Sequence, residues 1–214
     1  MTLIPHIPVR EIYTSFNSPI NEIDCGEKCA PHNPSGKPFC CDICEAVPAV
    51  YRQEWVYLQE HTNLWTRWRG PECGSGPEEI TALHADTPEN MILLACLGPK
   101  QCQREYRALS CRQFPFFPYI SDDFRFLGLA CEWEFEGKCW VIENIDKVSL
   151  AYREEFIQIF DELFSRWPQE MESYALKSEE MRSVFAKRRR RISILHRNGG
   201  SYLLSPGSER LARK

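Results

Sequence analysis

Cys25-Gly-Glu-Lys-Cys29, followed after ten residues by Cys40-Cys41-Asp-Ile-Cys44, is the first of two cysteine blocks that organise this chain. The second block is Cys96-Leu-Gly-Pro-Lys-Gln-Cys102, followed after eight residues by Cys111-Arg-Gln-Phe-Pro. Eight of the eleven cysteines fall in these blocks, among Gly, Pro and Lys rather than in apolar runs. Core packing explains such positions poorly. We therefore interpret these cysteines as metal ligands.

Length and composition indicate a globular domain in a reducing compartment. A chain of 214 residues can bury a core without disulfides, and an odd number of cysteines, about 5% of the chain, is unlike the small disulfide-rich scaffolds. The first residues contain two prolines and lack the apolar segment of a secretory signal. The longest apolar run, Met91 to Leu97, is too short to cross a bilayer. We expect a cytoplasmic protein that does not enter a membrane, a setting in which clustered cysteines more often bind metals.

Charge is unevenly distributed along the chain. The net charge is -4, yet residues 181–214 contain ten Lys or Arg and one acid, which gives about +9 there and -13 elsewhere. We expect the basic segment to lie against the acidic remainder of the same chain. The alternative is an arm that binds nucleic acid, an anionic surface or an acidic partner, and an unidentified protein or small-molecule partner remains open.

The pattern of the first half predicts an irregular, cysteine-rich region. Residues 1–24 are expected to form an extended strap, because three early prolines exclude a long helix. The strap's apolar anchors would be Ile4, Ile7, Val9, Ile12 and Phe16. Residues 25–145 form the expected metal-binding core, with a helix over 49–62 and a short helical turn over 78–83. The run from Met91 to Cys96 fits either a helix begun by Pro88 or a buried strand.

The second half is predicted to be more regular. Alternation near the end of residues 124–136 and a turn at Gly137-Lys138 predict a strand that pairs with residues 139–142. Residues 146–191 are expected to form a helical pair divided at Pro168. Residues 192–214 are expected to form a hairpin around Asn198-Gly199 and a basic tail. The predicted fold class is α+β, a helix-dominated single domain with irregular Cys-rich loops and small hairpins.

The cysteine spacing narrows the kind of metal site. Cys25, Cys29, Cys41 and Cys44 alone would suit a small zinc knuckle. In an extended segment, however, Cys40 and Cys41 would point to opposite sides, which disfavours one mononuclear site. Adding the second block favours an iron-sulfur cluster, of the [4Fe-4S] type, with zinc as the alternative. The full set of predicted ligands is Cys25, Cys29, Cys40, Cys41, Cys44, Cys96, Cys102 and Cys111.

This arrangement resembles the YkgJ-type cysteine-cluster family over roughly residues 25–118. The shared features are the Cys40-Cys41 doublet, the later Cys96 and Cys102 with Tyr106 nearby, and Cys111-Arg-Gln-Phe-Pro. The stretched lead from Ala30 to Phe39 and the additional Cys44 depart from the family pattern. The resemblance implies a zinc- or iron-chelating domain. A related domain occurs in flagellin lysine methylases, where the cluster is iron-sulfur.

The remaining candidate residues receive different interpretations. His32 is a possible further ligand, although a lone loop histidine is usually only exposed. Cys73 is expected to be a loop thiol, and Cys131 and Cys139 to pack as small apolar residues that form no local bridge. Basic residues among the second block are expected either to offset thiolate charge and donate to sulfur or to be ordinary surface charge. They are Lys100, Arg104, Arg107 and Arg112.

Three functions follow as hypotheses. The first is a binding module or electron carrier built on an iron-sulfur cluster, with its biochemical activity unresolved. The second is a structural zinc protein that uses the basic tail on nucleic acid or another partner. The third is an enzyme such as a protein lysine methylase, although the sequence contains no Gly-rich nucleotide loop after a strand. Residues 114–119 are expected to form an apolar lid over the site.

Overall fold

The computed structural model describes residues 8–214. The α+β class is confirmed, with 48% of residues helical and 17% in strands of two small sheets. Within the described chain, the first compact unit contains residues 8–17 and Asp24–Arg112, and the second contains Ser18–Ile23 and Gln113–Lys214. Among residues 8–214, no helix has the length and apolar character needed to span a bilayer.

The first unit consists of short elements around a three-stranded antiparallel sheet. Its helices are α1 (Val9–Ser15), α2 (Cys25–Cys29), α3 (Arg52–His61), α4 (Pro77–Asp86) and α5 (Leu109–Gln113), the last of which ends one residue beyond the unit. Its strands are β1 (Ala49–Tyr51), β2 (Trp65–Arg67) and β3 (Met91–Cys96). Strand β3 is central, with β1 on one side and β2 on the other. Cys96 at the end of β3 is paired with Trp65.

The second unit is more regular. Its strands form an antiparallel sheet in sequence order: β4 (Phe116–Ile120), β5 (Phe126–Cys131), β6 (Ile192–His196), β7 (Ser201–Leu204) and β8 (Leu211–Arg213). Its helices are α6 (Trp140–Glu143), α7 (Leu150–Arg166) and α8 (Pro168–Lys187). Met181 and Phe185 of α8 are buried in one apolar cluster with Phe117, Ile192 and Ile194 of the sheet. This cluster lies on one face of the sheet.

Several local signals define the elements of the second unit. The Ser149 hydroxyl accepts a hydrogen bond from the backbone N–H of Tyr152 and so caps α7, and Pro168 occupies the first position of α8. The hairpin of β6 and β7 closes at Asn198-Gly199, where Gly199 has a φ of 87°. A positive φ of this kind is readily adopted by glycine, which has no Cβ.

Two predicted segments have a different structure. Val9–Ser15 is helical rather than extended. Pro8 precedes the helix, so its missing N–H does not interrupt the hydrogen bonds of the helical residues. Val9, Ile12 and Phe16 are buried as expected, whereas Ile4 and Ile7 lie outside the described residues. The predicted helix over 49–62 begins later, since its first residues form β1. For the run from Met91 to Cys96 the sequence allowed either a helix or a strand, and the structure has a strand.

The predicted pairing of residues 139–142 with the preceding strand is wrong. Residues 140–143 form α6, and β5 pairs instead with β4 and β6. The segment interpreted as a lid contains β4, which includes Pro118 and lies at the edge of the sheet. Proline is accommodated at an edge because its missing N–H removes only an outward-facing hydrogen bond. The aromatic run is therefore core rather than a cover for the cysteines.

The basic C-terminal segment is paired with acids of its own unit. Arg182 Nη1 lies 2.9 Å from the Glu209 carboxylate, and Arg197 Nη2 lies 2.8 Å from the Asp161 carboxylate. Arg190 contacts both oxygens of Glu136, at 2.8 and 3.0 Å. These ion pairs favour the interpretation in which the basic segment interacts within the chain. They leave less free charge for a nucleic-acid partner than the sequence alone indicates.

Candidate metal centre

The loop that carries the cysteine doublet is organised by a buried carboxylate, Asp42. Its oxygens accept hydrogen bonds from Asn33 Nδ2 at 3.0 Å, Ser35 Oγ at 2.6 Å and the Cys44 backbone N–H at 3.2 Å. Burial alone would raise the pKa of Asp42, but the hydrogen bonds from Ser35, Asn33 and Cys44 outweigh it and hold the pKa low. The loop therefore has an internal scaffold, which the sequence analysis did not identify.

The doublet itself brings two sulfurs to one side. Cys40 and Cys41 belong to a 3-10 turn, Phe39–Cys41, and their Sγ atoms lie 3.8 Å apart. This differs from the expectation of opposed side chains, because consecutive side chains alternate only in an extended backbone. The hydrogen bond with Cys40 and, to a smaller degree, the Arg107 guanidinium lower the pKa of Cys41 to about 7 against the effect of burial.

The second block presents its three thiols from three adjoining elements. Cys96 ends β3, Cys102 follows the 3-10 turn Pro99–Gln101, and Cys111 lies within α5. The loop between β3 and α5 is fixed by side chains from the α3–β2 region. Trp65 Nε1 donates to the Tyr106 carbonyl at 2.9 Å, and the Thr62 hydroxyl donates to Gln103 Oε1.

Charge effects connect one thiol of the first block with three of the second. The pKa of Cys111 is raised by burial and by the charges of Cys96 and Cys41. Burial likewise raises the pKa of Cys96, and Cys41 and Cys102 add to that effect. Such charge effects weaken with distance, so the four groups lie in one region of the unit. Cys41, Cys96, Cys102 and Cys111 are here called the thiol quartet.

Arg107 lies beside the quartet. Its Nε donates to Cys102 Sγ at 3.4 Å. Burial lowers the pKa of Arg107, but the hydrogen bond to Cys102 and the charges of Cys102, Cys41 and Cys111 outweigh it and raise the pKa. The guanidinium therefore remains charged next to the thiols. Arg107 is thus a basic residue, named from the sequence, that donates to sulfur.

Arg112 has a different, structural role. Its guanidinium donates to the carbonyls of Arg107 at 2.8 Å, Glu105 at 2.7 Å and Phe16, and to Asn17 Oδ1 at 2.6 Å. It also lies over the Tyr13 ring, 4.5 Å from the centroid. Arg112 is only 8% exposed, so these bonds replace its lost hydration. The residue ties the Cys102 loop to the N-terminal helix.

Glu54 supports the start of α5. This carboxylate, 2% exposed, accepts hydrogen bonds from the Tyr13 hydroxyl at 2.8 Å and the Leu109 backbone N–H at 2.6 Å. Burial raises the pKa of Glu54, although these hydrogen bonds act in the opposite direction. Because Leu109 is the first residue of α5, Glu54 fixes the helix that presents Cys111. No spacing motif signalled Glu54; a single acid within an apolar helical face was the available clue.

Cys44 does not join the quartet. Its sulfur forms a disulfide with Cys73, with a Cα–Cα distance of 5.2 Å. This corrects two expectations, since Cys44 was predicted as a ligand and Cys73 as a free loop thiol. A bridge between residues 29 positions apart depends on how two loops meet, which spacing alone cannot reveal. Of the eight predicted ligands, Cys44 is thus removed from the free thiols.

The lead thiols, Cys25 and Cys29, both belong to α2. Cys29 is buried and points back along α2, where its Sγ lies 3.7 Å from the Gly26 carbonyl oxygen. Cys25 opens the same helix, after Asp24, whose charge raises the pKa of Cys41. The start of α2 therefore lies near the doublet. His32 is exposed at the end of a 3-10 turn, and the structure links neither it nor Cys29 to the quartet.

The spacing of the cysteine side chains distinguishes a site for a single metal ion from a site for an iron-sulfur cluster. Within residues 8–214, no three His, Cys, Asp or Glu side chains are close enough to hold a single metal ion in this conformation. In an iron-sulfur cluster each thiolate binds a different iron, so its ligands lie farther apart than those of one ion. Four neighbouring thiols with a guanidinium beside them fit that requirement in chemistry and number.

Comparison with protein-family models, with curated proteins and with solved structures finds no match for this chain. The resemblance to the YkgJ-type family accordingly stays a prediction from the cysteine pattern.

Proposed function

We propose that the first unit holds an iron-sulfur cluster, of the [4Fe-4S] type, through Cys41, Cys96, Cys102 and Cys111. The observation that carries this proposal is the meeting of thiols from both cysteine blocks around Arg107. Four cysteine thiolates are the usual ligand set of such a cluster. When bound, the cluster would supply one-electron redox chemistry.

Three features of the chain support this assignment. Arg107 offsets the negative charge that several thiolates bring together, and its N–H donates to sulfur, the kind of hydrogen bond that tunes cluster potentials. Glu54 and Arg112 hold α5 and the Cys102 loop, so ligand positions depend on residues that bind no metal. Cys111 is half-buried, so its surroundings partly exclude water. Metal affinity would be pH-dependent, since binding releases thiol protons.

A structural zinc site is the second candidate, and the doublet favours it. Two thiolates on one tetrahedral zinc, each at about 2.3 Å, are separated by about 3.8 Å. Cys40 and Cys41 have their sulfurs at this separation. In that arrangement Cys40 would be a ligand, whereas in the proposed cluster it is a neighbour of the ligand Cys41. The enzymatic hypothesis stays a prediction from the family resemblance.

The test is the metal and sulfide content of protein purified without oxygen. We expect broad absorption near 400 nm, with iron and acid-labile sulfide in comparable amounts. Separate Cys41→Ser, Cys96→Ser, Cys102→Ser and Cys111→Ser variants should each lose most of the iron. Cys131→Ser in the second unit is the matched control and should retain it.

A different metal content would favour the zinc site. A colourless protein with one zinc per chain, which loses the zinc on Cys40→Ser and keeps it on Cys102→Ser, would replace the proposal with the zinc site. Retention of full metal content and proteolytic resistance by Cys41→Ser would contradict both candidates, because each uses this thiol.

A further inference from the structure

The second unit contains a cavity of about 230 Å³ that the proposed metal centre does not involve. It lies among the end of β5, the turn after it, α6, the last turns of α8 and the start of β6. Pockets for drug-sized ligands usually measure about 300–1,000 Å³. The volume here therefore fits a single ring or a short aliphatic chain.

The floor of the cavity is formed by buried side chains, whereas most of the lining that is open to solvent is polar. It includes Cys131, Trp133, Met181 and Phe185, each at most 7% exposed. Burial and the nearby charge of Cys139 raise the pKa of Cys131, so its thiol is neutral and behaves as an apolar group. An apolar ligand body placed against this floor would gain roughly 25 cal/mol for each Å² removed from water.

The rim is charged, and most of its charges already have partners. The Glu136 carboxylate is contacted by Arg188 at 3.2 Å and by Arg190 at 2.8 and 3.0 Å. Arg190 is also held over the Phe185 ring, 5.4 Å from its centroid. One oxygen of Glu143 accepts the Gly137 N–H at 3.0 Å. These groups are bound within the protein rather than prepared for a ligand.

Arg191 and Ser193 differ from these groups. Both line the cavity, and neither side chain has an ion pair or hydrogen bond with the part of the chain that the structure describes. Arg191 is exposed at the rim and Ser193 is half-buried on β6. A guanidinium presents parallel N–H donors that match a carboxylate, and a hydroxyl can donate a further hydrogen bond. Their placement beside an apolar floor is the arrangement expected for a small organic acid.

We propose that this cavity binds a small monocarboxylate with an aromatic or aliphatic body, the body lying on the Trp133 and Phe185 side and the carboxylate bound by Arg191 and Ser193. The binding is non-covalent. It is independent of the iron-sulfur proposal, because every residue involved belongs to the second unit.

The proposal is tested by isothermal titration calorimetry of the full-length protein with phenylacetate and with hexanoate, and with the uncharged phenylacetamide and hexanamide as matched probes. We expect saturable binding of at least one acid and about tenfold weaker binding of its amide, the loss typical of a hydrogen-bonded charge. Arg191→Gln should remove this preference for the acid. Arg213→Gln, on exposed β8 of the same unit, is the charge-matched control and should leave binding unchanged.

The location is tested separately by the indole N–H resonance of Trp133, assigned through a Trp133→Phe variant. It should shift on titration with the acid, because the ring lines the cavity. Absence of saturable binding for both acids would overturn the proposal. Equal affinity for acid and amide, or an equal loss in Arg191→Gln and Arg213→Gln, would also overturn it. Arg191 is exposed, so its substitution is expected to leave thermal unfolding unchanged and the comparison valid.

Discussion

The first unit combines an apolar core with buried charged residues and a disulfide, whereas the second contains a continuous aromatic core. In the second unit Phe156 and Phe160 are fully buried with ring centroids 4.6 Å apart, and Phe160 meets Tyr174 edge-on at 5.5 Å. In the first unit the central groups are Glu54 and Arg112, which are charged residues buried by hydrogen bonding. A hydrophobic core tolerates substitutions that conserve its volume, although removing a whole buried ring is costly. A buried polar centre tolerates fewer substitutions, since each lost partner leaves a buried group unsatisfied.

The largest effect is expected from the aromatic core. Phe160→Ala should lower the free energy of unfolding by about 4 kcal/mol, because it removes a fully buried ring and leaves a cavity. Urea denaturation followed by circular dichroism measures this loss. Leu176→Ala on α8, where the side chain is 68% exposed, is the control and should change stability by less than about 0.5 kcal/mol. Equal losses for the two variants would contradict the assigned core.

Arg112→Ala is expected to lower the free energy of unfolding by less than Phe160→Ala does, and to loosen the segments that Arg112 contacts. Removing the guanidinium leaves the carbonyls of Arg107, Glu105 and Phe16 without this donor, at a cost of about 3 kcal/mol. Hydrogen exchange followed by mass spectrometry should show faster exchange in 13–17 and 103–113, and little change in α7. Arg104→Ala in the same loop, an exposed position, is the control. Uniform acceleration across both units would contradict the local role.

The disulfide gives the next effect in size. Replacing Cys44 and Cys73 together by Ala should lower the free energy of unfolding by about 2–3 kcal/mol under oxidising conditions, because the bridge closes a loop between residues 29 positions apart. The loss should disappear when wild type and variant are compared in excess dithiothreitol. A difference that persists under reduction would show that the cysteines stabilise the unit by packing rather than by their bond.

The smallest effect concerns pH. Burial raises the pKa of Glu54. A carboxyl whose folded pKa is raised stabilises the fold below its unfolded pKa, about 4.3, and that contribution is lost as pH rises through the folded value. The free energy of unfolding of wild type should therefore fall more steeply than that of Glu54→Gln as pH rises from about 4.5. Glu79→Gln on exposed α4 is the control and should keep the wild-type slope; parallel wild-type and Glu54→Gln slopes would refute the assignment.

The same contrast explains how much of the fold the sequence predicts. Pro168 and the Asn198-Gly199 turn act over a few residues, so the division of the helical pair and the position of the last hairpin can be predicted from the sequence. The Asp24 cap of α2 was a similar signal that was overlooked: Asp24 Oδ1 accepts the Gly26 N–H at 2.9 Å. The strand containing Pro118 was missed because only its edge position makes it permissible.

The candidate site was predictable only in part. Cysteine spacing singles out the thiols, and the structure brings Cys41, Cys96, Cys102 and Cys111 within mutual electrostatic influence. Spacing does not reveal that Cys44 bonds to Cys73, nor which arginine faces sulfur and which binds carbonyls. Those outcomes depend on contacts between segments far apart in sequence. Metal identity stays a prediction until iron, zinc and sulfide are measured.

The bond from Arg112 to the Phe16 carbonyl joins residues 96 positions apart, and this separation has a consequence for synthesis on the ribosome. At a synthesis rate of about 5–20 residues per second, Arg112 is added roughly 5–20 s after the last residues of α1. During that interval Val9, Ile12 and Phe16, which are buried in the finished unit, remain without this support. The nascent chain is thus a candidate for chaperone protection until the second cysteine block has emerged.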